Sequence, residues 1–199
     1  LSKIYDDICQ HKPDIVKIVA YANDITDNIR IFELLKSAKV PTISFCMGEL
    51  GYISRILTGK FGGFMTFASL EKGKESAPGQ LTADELSKIY HFKNINKKTK
   101  LYGIIGNPVS HSMSPAIHNA AFTEKGLKNV YVPLKIANIE TFMKECREID
   151  FQGFSVTIPH KESVLPFLDD LDHTARKIGA INTIVNRNRK LTGYNTDCM

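Results

Sequence analysis

The 199-residue sequence contains no tryptophan, no Cys-x-x-Cys pair and no Gly-x-Gly-x-x-Gly turn. It has no apolar run near the ~20 residues that a membrane-spanning helix needs. Its 13 glycines and 8 prolines follow no period, which excludes collagen-like and low-complexity chains. The four cysteines, Cys9, Cys46, Cys146 and Cys198, are too dispersed for a zinc site or a disulfide framework, so free thiols are expected. No signal or transit pattern marks the N-terminus, although the chain starts at Leu1 and reads as a segment of something longer.

The content is that of a globular protein, 43% apolar and 24% charged. Net charge is +5, and part of the excess lies in Lys93, Lys97, Lys98 and Lys100. These lysines read as a solvated linker. A nucleic-acid patch is the alternative, but Phe92 is the single aromatic within 91–100 and stacking needs several.

Hydrophobic periodicity alternates strand and helix. In the first half, strands are expected at 15–20, 41–47 and 64–69, with helices at 24–39, 51–59 and 82–92. Thr82 and Glu85 stand at capping-box spacing. Three βα units with parallel strands are either part of an eight-unit barrel or part of an open sheet. The pattern restarts at Leu101. Strands are expected at 101–106, 130–136, 154–158, 181–186 and 191–194. Helices are expected at 115–125, 139–149, 161–168 and 171–178, with Ser114 as N-cap and Pro115 in the first helical position. The domains are therefore set at 1–92 and 101–199, joined by a lysine-rich linker at 93–100.

Lys17 stands in the middle of a strand, Asp-Ile-Val-Lys-Ile-Val-Ala. It is either a charge guarding a strand edge or an amine desolvated in a pocket, where a lowered pKa frees it to attack a carbonyl. Arg55 follows the second strand and is either a solvated helix arginine or a bidentate carboxylate ligand. Ser76 and Gln80 flank the Pro78-Gly79 turn with groups suited to an oxygen-rich ligand. The strand lysine, Gly-Tyr-Ile-Ser-Arg and Glu-Ser-Ala-Pro-Gly-Gln, in that order, resemble the C-terminal part of type I 3-dehydroquinate dehydratase, a (β/α)8 barrel. The resemblance implies that Lys17 forms a Schiff base with the substrate ketone. It also implies that Arg55, Ser76 and Gln80 bind the substrate, and that Met47 and Phe67 line the pocket. The family's proton-shuttling histidine lies on an earlier strand. His11 lies in a loop ahead of the lysine strand and is not assigned that role, so the segment alone is expected to lack dehydratase activity.

In the second half, Ser110-His111-Ser112-Met113-Ser114-Pro115 places hydroxyls at a helix start, a setting suited to an anion. Val156-Thr157-Ile158-Pro159-His160-Lys161 carries a lysine past a strand end. Asn182, in Gly-Ala-Ile-Asn-Thr, and Asp197, in Gly-Tyr-Asn-Thr-Asp, add amide and carboxylate groups. Together these motifs resemble the substrate domain of shikimate dehydrogenase. The resemblance implies that Ser112 and Ser114 hold the substrate carboxylate and that Thr157, Asn182 and Asp197 bind ring hydroxyls. Lys161 and Asp197 would form the catalytic pair, with Lys161 as acid–base. Ser155 stands where many relatives carry Asn. The family's NADP domain follows the substrate domain, and its glycine-rich turn is absent here. His111 and His118 fit no metal spacing, so no metal is expected.

The order matches bifunctional shikimate-pathway enzymes. These dehydrate 3-dehydroquinate to 3-dehydroshikimate and then reduce it with NADPH to shikimate. Small-molecule substrates are the expected partners, with no nucleic acid and no membrane. The expected location is cytoplasmic, or plastid as the alternative. Two other readings stay open: a quinate-preferring dehydrogenase with a vestigial dehydratase, and a non-catalytic substrate-binding fragment.

Overall fold

The computed structural model describes residues 1–197, so Cys198, one of the expected free thiols, lies outside the described residues. The chain divides into two compact units, Leu1–Thr99 and Lys100–Met199.

The first unit opens with helix α1 (Ser2–Cys9), then strand β1 (Val16–Tyr21), helix α2 (Asp27–Ser37) and strand β2 (Thr42–Met47). β1 and β2 pair in parallel, with Lys17 opposite Ile43, Val19 opposite Phe45 and Tyr21 opposite Met47. Alternation then puts Lys17, Phe45 and Met47 on one face. The other face carries Val16 and Ile18, which cluster with Tyr5 and Leu34. Burying side chains of this size contributes about 1.5–3 kcal/mol each. Tyr5 also accepts the backbone N–H groups of Lys39 and Val40, tying α1 to the start of β2.

Beyond β2, a 3-10 turn at Glu49–Gly51 leads into two short helices, α3 (Tyr52–Ile56) and α4 (Thr58–Phe61). The helix expected to stop at Gly59 instead runs on to Gly62, which adopts φ +89° as its left-handed cap. The strand expected at 64–69 is not formed. Phe64 N–H reaches Thr42 O at 2.8 Å, and Ser69 makes an isolated parallel bridge with Thr82. Between these anchors Phe64, Met65 and Phe67 remain exposed, so their apolar character signals an extended segment without a ladder. The capping box forms: Glu85 N–H donates to Thr82 Oγ1, and Glu85 Oε2 accepts Thr82 N–H at 2.8 Å. The helix it starts relaxes into a π-turn at Glu85–Ile89. The lysine-rich segment is not a free tether. Ile95 and Thr99 are buried, and Ile95 O lies against Gly59 so closely that a Cβ there would stand 2.5 Å from it.

The second unit is a six-stranded sheet. Its elements are β3 (Lys100–Gly106), α5 (Ser114–Glu124), β4 (Asn129–Lys135), α6 (Ile139–Glu145), β5 (Phe151–Val156), α7 (His160–Ser163), β6 (Asp170–Leu171), α8 (His173–Ile178), β7 (Thr183–Arg187) and β8 (Lys190–Tyr194). The strand order is β4-β3-β5-β7-β8-β6. β3 runs parallel to both β4 and β5, whereas β7 runs antiparallel to β5 and β8. α5 begins one residue earlier than expected. Met113 is its N-cap, and Ser112 Oγ rather than Ser114 supplies the capping acceptor, taking Ser114 N–H at 3.2 Å. Helix 139–149 breaks at Cys146 into a 3-10 turn.

Candidate functional site

In the first unit the sequence-predicted residues sit on one face and its margins. Lys17 is exposed, so the desolvation expected of a pocket amine is not present among the described residues. Its ammonium stands 4.3 Å from the centre of the Phe67 ring. Phe67 lies 6.0 Å from Phe45, and the Arg55 guanidinium stacks 4.1 Å from the Phe45 ring. A pair of phenylalanines thus links the amine to the guanidinium. Arg55 is not a solvated helix arginine: it is 1% exposed, and its Nε and Nη2 have no hydrogen-bond partner. Burial pulls its pKa down, with Cys46 beside it acting in the opposite sense. A buried guanidinium with unpartnered donors is costly unless an anion meets it. Cys46 cannot be that anion at neutral pH, because burial pushes its thiol up to about 12. Cys146 is pushed equally high, so both behave as inert free thiols.

Ser76 and Gln80 are brought together. Gln80 Oε1 accepts Ser76 N–H at 2.8 Å and Ser76 Oγ–H at 3.2 Å. Their loop is docked at the end of β2 through Gly48 N–H, which donates to Pro78 O at 3.0 Å. A Cβ on Gly79, whose φ is +73°, would stand 2.1 Å from Gly48 O. Residues 75–80 line an open recess of about 500 Å³.

In the second unit four loops converge. From β3 the chain turns to β4 on one side and returns to β5 on the other, so the loops leaving β3 and β5 diverge at the switch point where open α/β sheets take ligands. Asn107 N–H bonds Ile158 O and Thr157 N–H bonds Ile105 O, both at 2.9 Å, which pins the serine loop to the Thr157–Lys161 segment. Gly106 allows this approach, since a Cβ there would lie 2.4 Å from Thr157 Cγ2. Because β7 is antiparallel, its start comes to the same edge, and so does the end of β8.

This edge assembles Lys161, Asn182 and Asp197. Lys161 Nζ lies 2.5 Å from Asp197 Oδ2, and Asn182 Nδ2 donates to Asp197 Oδ1 at 2.7 Å. Both oxygens of the carboxylate are therefore held. The Lys161 contact, then Asn182, keeps the Asp197 pKa below its ordinary value. The pair remains open to solvent, with side chains 36% and 53% exposed. Asn182 Oδ1 accepts from Thr183 Oγ1 and Thr196 N–H, so its amide braces the Asp197 turn as well as lining the site. That bracing was not legible from the sequence. His118 stacks on Tyr131, with ring centroids 4.3 Å apart.

Residues 1–97 match the family described as Type I 3-dehydroquinase. Residues 104–184 match the shikimate dehydrogenase substrate binding domain. A bifunctional 3-dehydroquinate dehydratase/shikimate dehydrogenase of Arabidopsis thaliana, described as chloroplastic, is 50% identical over 96% of this chain and 32% of its own length. The shikimate biosynthesis protein AroDE of Chlamydia pneumoniae is 33% identical over 99% of this chain and 42% of its own. A crystal structure of a shikimate dehydrogenase in complex with NADP+ is 47% identical, with a TM-score of 0.50, covering 51% of this chain and 36% of that one. The chain thus spans about a third to two-fifths of the length of these curated relatives.

Proposed function

We propose, from the match of residues 1–97 to the type I 3-dehydroquinases and of residues 104–184 to the shikimate dehydrogenase substrate binding domains, that the chain serves two consecutive steps on a cyclic carboxylate. The first is dehydration of 3-dehydroquinate to 3-dehydroshikimate. The second is NADPH-dependent reduction of that product to shikimate. The observation that carries the reading is the Lys161–Asp197 pair braced by Asn182 at the sheet's ligand-binding edge.

In the second step Lys161 exchanges a proton with the ring oxygen that changes between ketone and hydroxyl. Asp197 orients the ammonium and holds its charge. Thr157 and Asn182 face ring hydroxyls, and Ser112 and Ser114, at the start of α5, take the carboxylate. The turn from β3 to α5 is not proposed as the NADP site. The connection from β3 to α5 passes through Pro108 and the buried Val109, whereas a pyrophosphate needs an open, glycine-lined backbone. NADP is therefore assigned to polypeptide beyond these residues.

In the first step Lys17 Nζ adds to the substrate ketone, and water leaves to give an iminium. That electron sink eases removal of the neighbouring proton before the ring hydroxyl departs as water. Arg55 supplies the carboxylate contact that its unpartnered donors require, and Ser76 and Gln80 supply hydroxyl contacts. Met47 and Phe67 line this face. The first unit is read as the C-terminal part of a (β/α)8 barrel, two of whose three expected strands form here, with its proton-shuttling histidine outside these residues. The dehydratase part is proposed at 1–92 and the substrate domain at 101–199, with most of the expected 93–100 linker falling inside the first compact unit. No helix among the described residues is long and apolar enough to cross a membrane. The description of the Arabidopsis relative supports the plastid alternative for location.

The test supplies 3-dehydroquinate and NADPH to the natural polypeptide that carries these residues and follows reduced-cofactor absorbance. Oxidation requires both steps in sequence. A folded sample that consumes no NADPH contradicts the assignment.

A further inference from the structure

The end of β8 carries a buried amide that the proposed chemistry does not use. Asn195 is 4% exposed, two residues before Asp197. Its Oδ1 accepts Asp197 N–H at 3.1 Å, and its Nδ2 donates to Ala180 O at 3.0 Å. The next residue, Ile181, fully buried, donates its N–H to Lys161 O at 2.9 Å. Lys161 Nζ then closes on Asp197 Oδ2. The result is a loop of contacts running Asp197, Asn195, Ala180–Ile181, Lys161 and back to Asp197.

We propose that Asn195 is a positioning residue for the Lys161–Asp197 pair. The reason is geometric. Lys161 and Asp197 belong to two segments joined neither by a common helix nor by adjacent strands, and their side chains are half open to water. An exposed ion pair holds its geometry poorly, because two flexible chains must be ordered for little net gain. A buried amide bonded at both ends is different, since an end left unpaired in the interior loses its water without gaining a partner. Asn195 therefore fixes the backbone of the Asp197 turn against the 180–182 segment. That segment fixes Lys161 from behind and carries Asn182, which holds the other carboxylate oxygen. Backbone placement, rather than the ion pair itself, sets where the carboxylate meets the ammonium.

The inference rests on the proposed shikimate site, and its test separates the two. Asn195→Ala and Asn195→Ser are compared in the full chain with Asn119→Ala. Asn119 is an equally buried amide that bridges α5 and β4 by bonds to Tyr131 O and from Tyr131 N–H, both 2.8 Å. The readouts are the Asp197 carboxyl titration by carbon NMR, the dissociation constant of shikimate, and the melting temperature. Lys161 is the charged group on that carboxylate, so a displaced turn lets the Asp197 midpoint climb toward the ordinary value of about 3.9.

Asn195→Ala is expected to raise the midpoint and weaken shikimate at least tenfold. Asn195→Ser, whose hydroxyl still accepts Asp197 N–H, is expected to recover part of both and decides the matter if the alanine variant does not fold. Asn119→Ala is expected to lower the melting temperature and move neither. An Asp197 midpoint unchanged in a folded Asn195 variant, or moved as far by Asn119→Ala, overturns the proposal. A midpoint that moves in a chain that binds no shikimate upholds the positioning role and removes the substrate assignment instead.

Discussion

Lys161 and Asp197 stand 36 residues apart in the sequence and 2.5 Å apart in the fold. Their types and motif context were legible beforehand, but their juxtaposition needed the antiparallel return of β7 and β8, which residue spacing does not announce. The sign of the pH effect follows from the depressed Asp197 pKa. The pair's contribution is present above the ordinary carboxylate range and is lost as pH falls through the lowered folded value. Shikimate affinity should therefore fall on the acid side, below the ordinary carboxylate range, as Asp197 protonates at its lowered value. Asp197→Asn should flatten that limb, as read by titration calorimetry across pH. Arg55 shows the opposite case, a residue whose two readings the sequence left open and whose burial decides between them. Lysine in its place offers a point charge instead of a fork of donors. Arg55→Lys should weaken carboxylate ligands of the first unit by about ten- to a hundredfold, the equivalent of roughly 1.5–3 kcal/mol for a charged hydrogen bond. Competition with 3-dehydroquinate analogues checks this.

Local rules served some elements well. The capping box at Thr82 and Glu85 formed as its spacing required, and β1, β2, β3 and β8 fall close to their expected ranges. The segment at 64–69 did not pair, because apolar side chains make a strand only where a neighbouring backbone accepts the ladder. α5 starts one residue early, at Ser114, with Met113 as N-cap, and Ser112 Oγ accepts Ser114 N–H just ahead of it. The loop 75–80 is fixed by one close backbone approach, Gly79 on Gly48, which only a residue without Cβ permits. Gly79→Ala should lift that loop from the end of β2, destabilise the first unit by more than about 1 kcal/mol, and weaken its ligands together with stability. Denaturant unfolding and the same competition assay read both effects.

At the scale of the whole chain, the restart of the strand–helix pattern near residue 100 marked where one compact unit gives way to the next. The four lysines near 93–100 are exposed, as a solvated stretch requires, while Ile95 and Thr99 between them are buried. The two units are unequally built. The first rests on a two-stranded sheet, and a sheet that small depends on helices for its stability. The second is built on one six-stranded open sheet. Calorimetric heating should accordingly give two transitions, with the first unit melting at the lower temperature. A single transition would mean that the units unfold as one.

The most direct measurement is a calorimetric titration of this chain with shikimate, repeated on Lys161→Ala. Saturable one-site binding to the native chain, lost or weakened at least tenfold in Lys161→Ala, is the expected result. A folded native chain that shows no binding, or binding that Lys161→Ala leaves unchanged, would contradict the assignment of this edge as the substrate site.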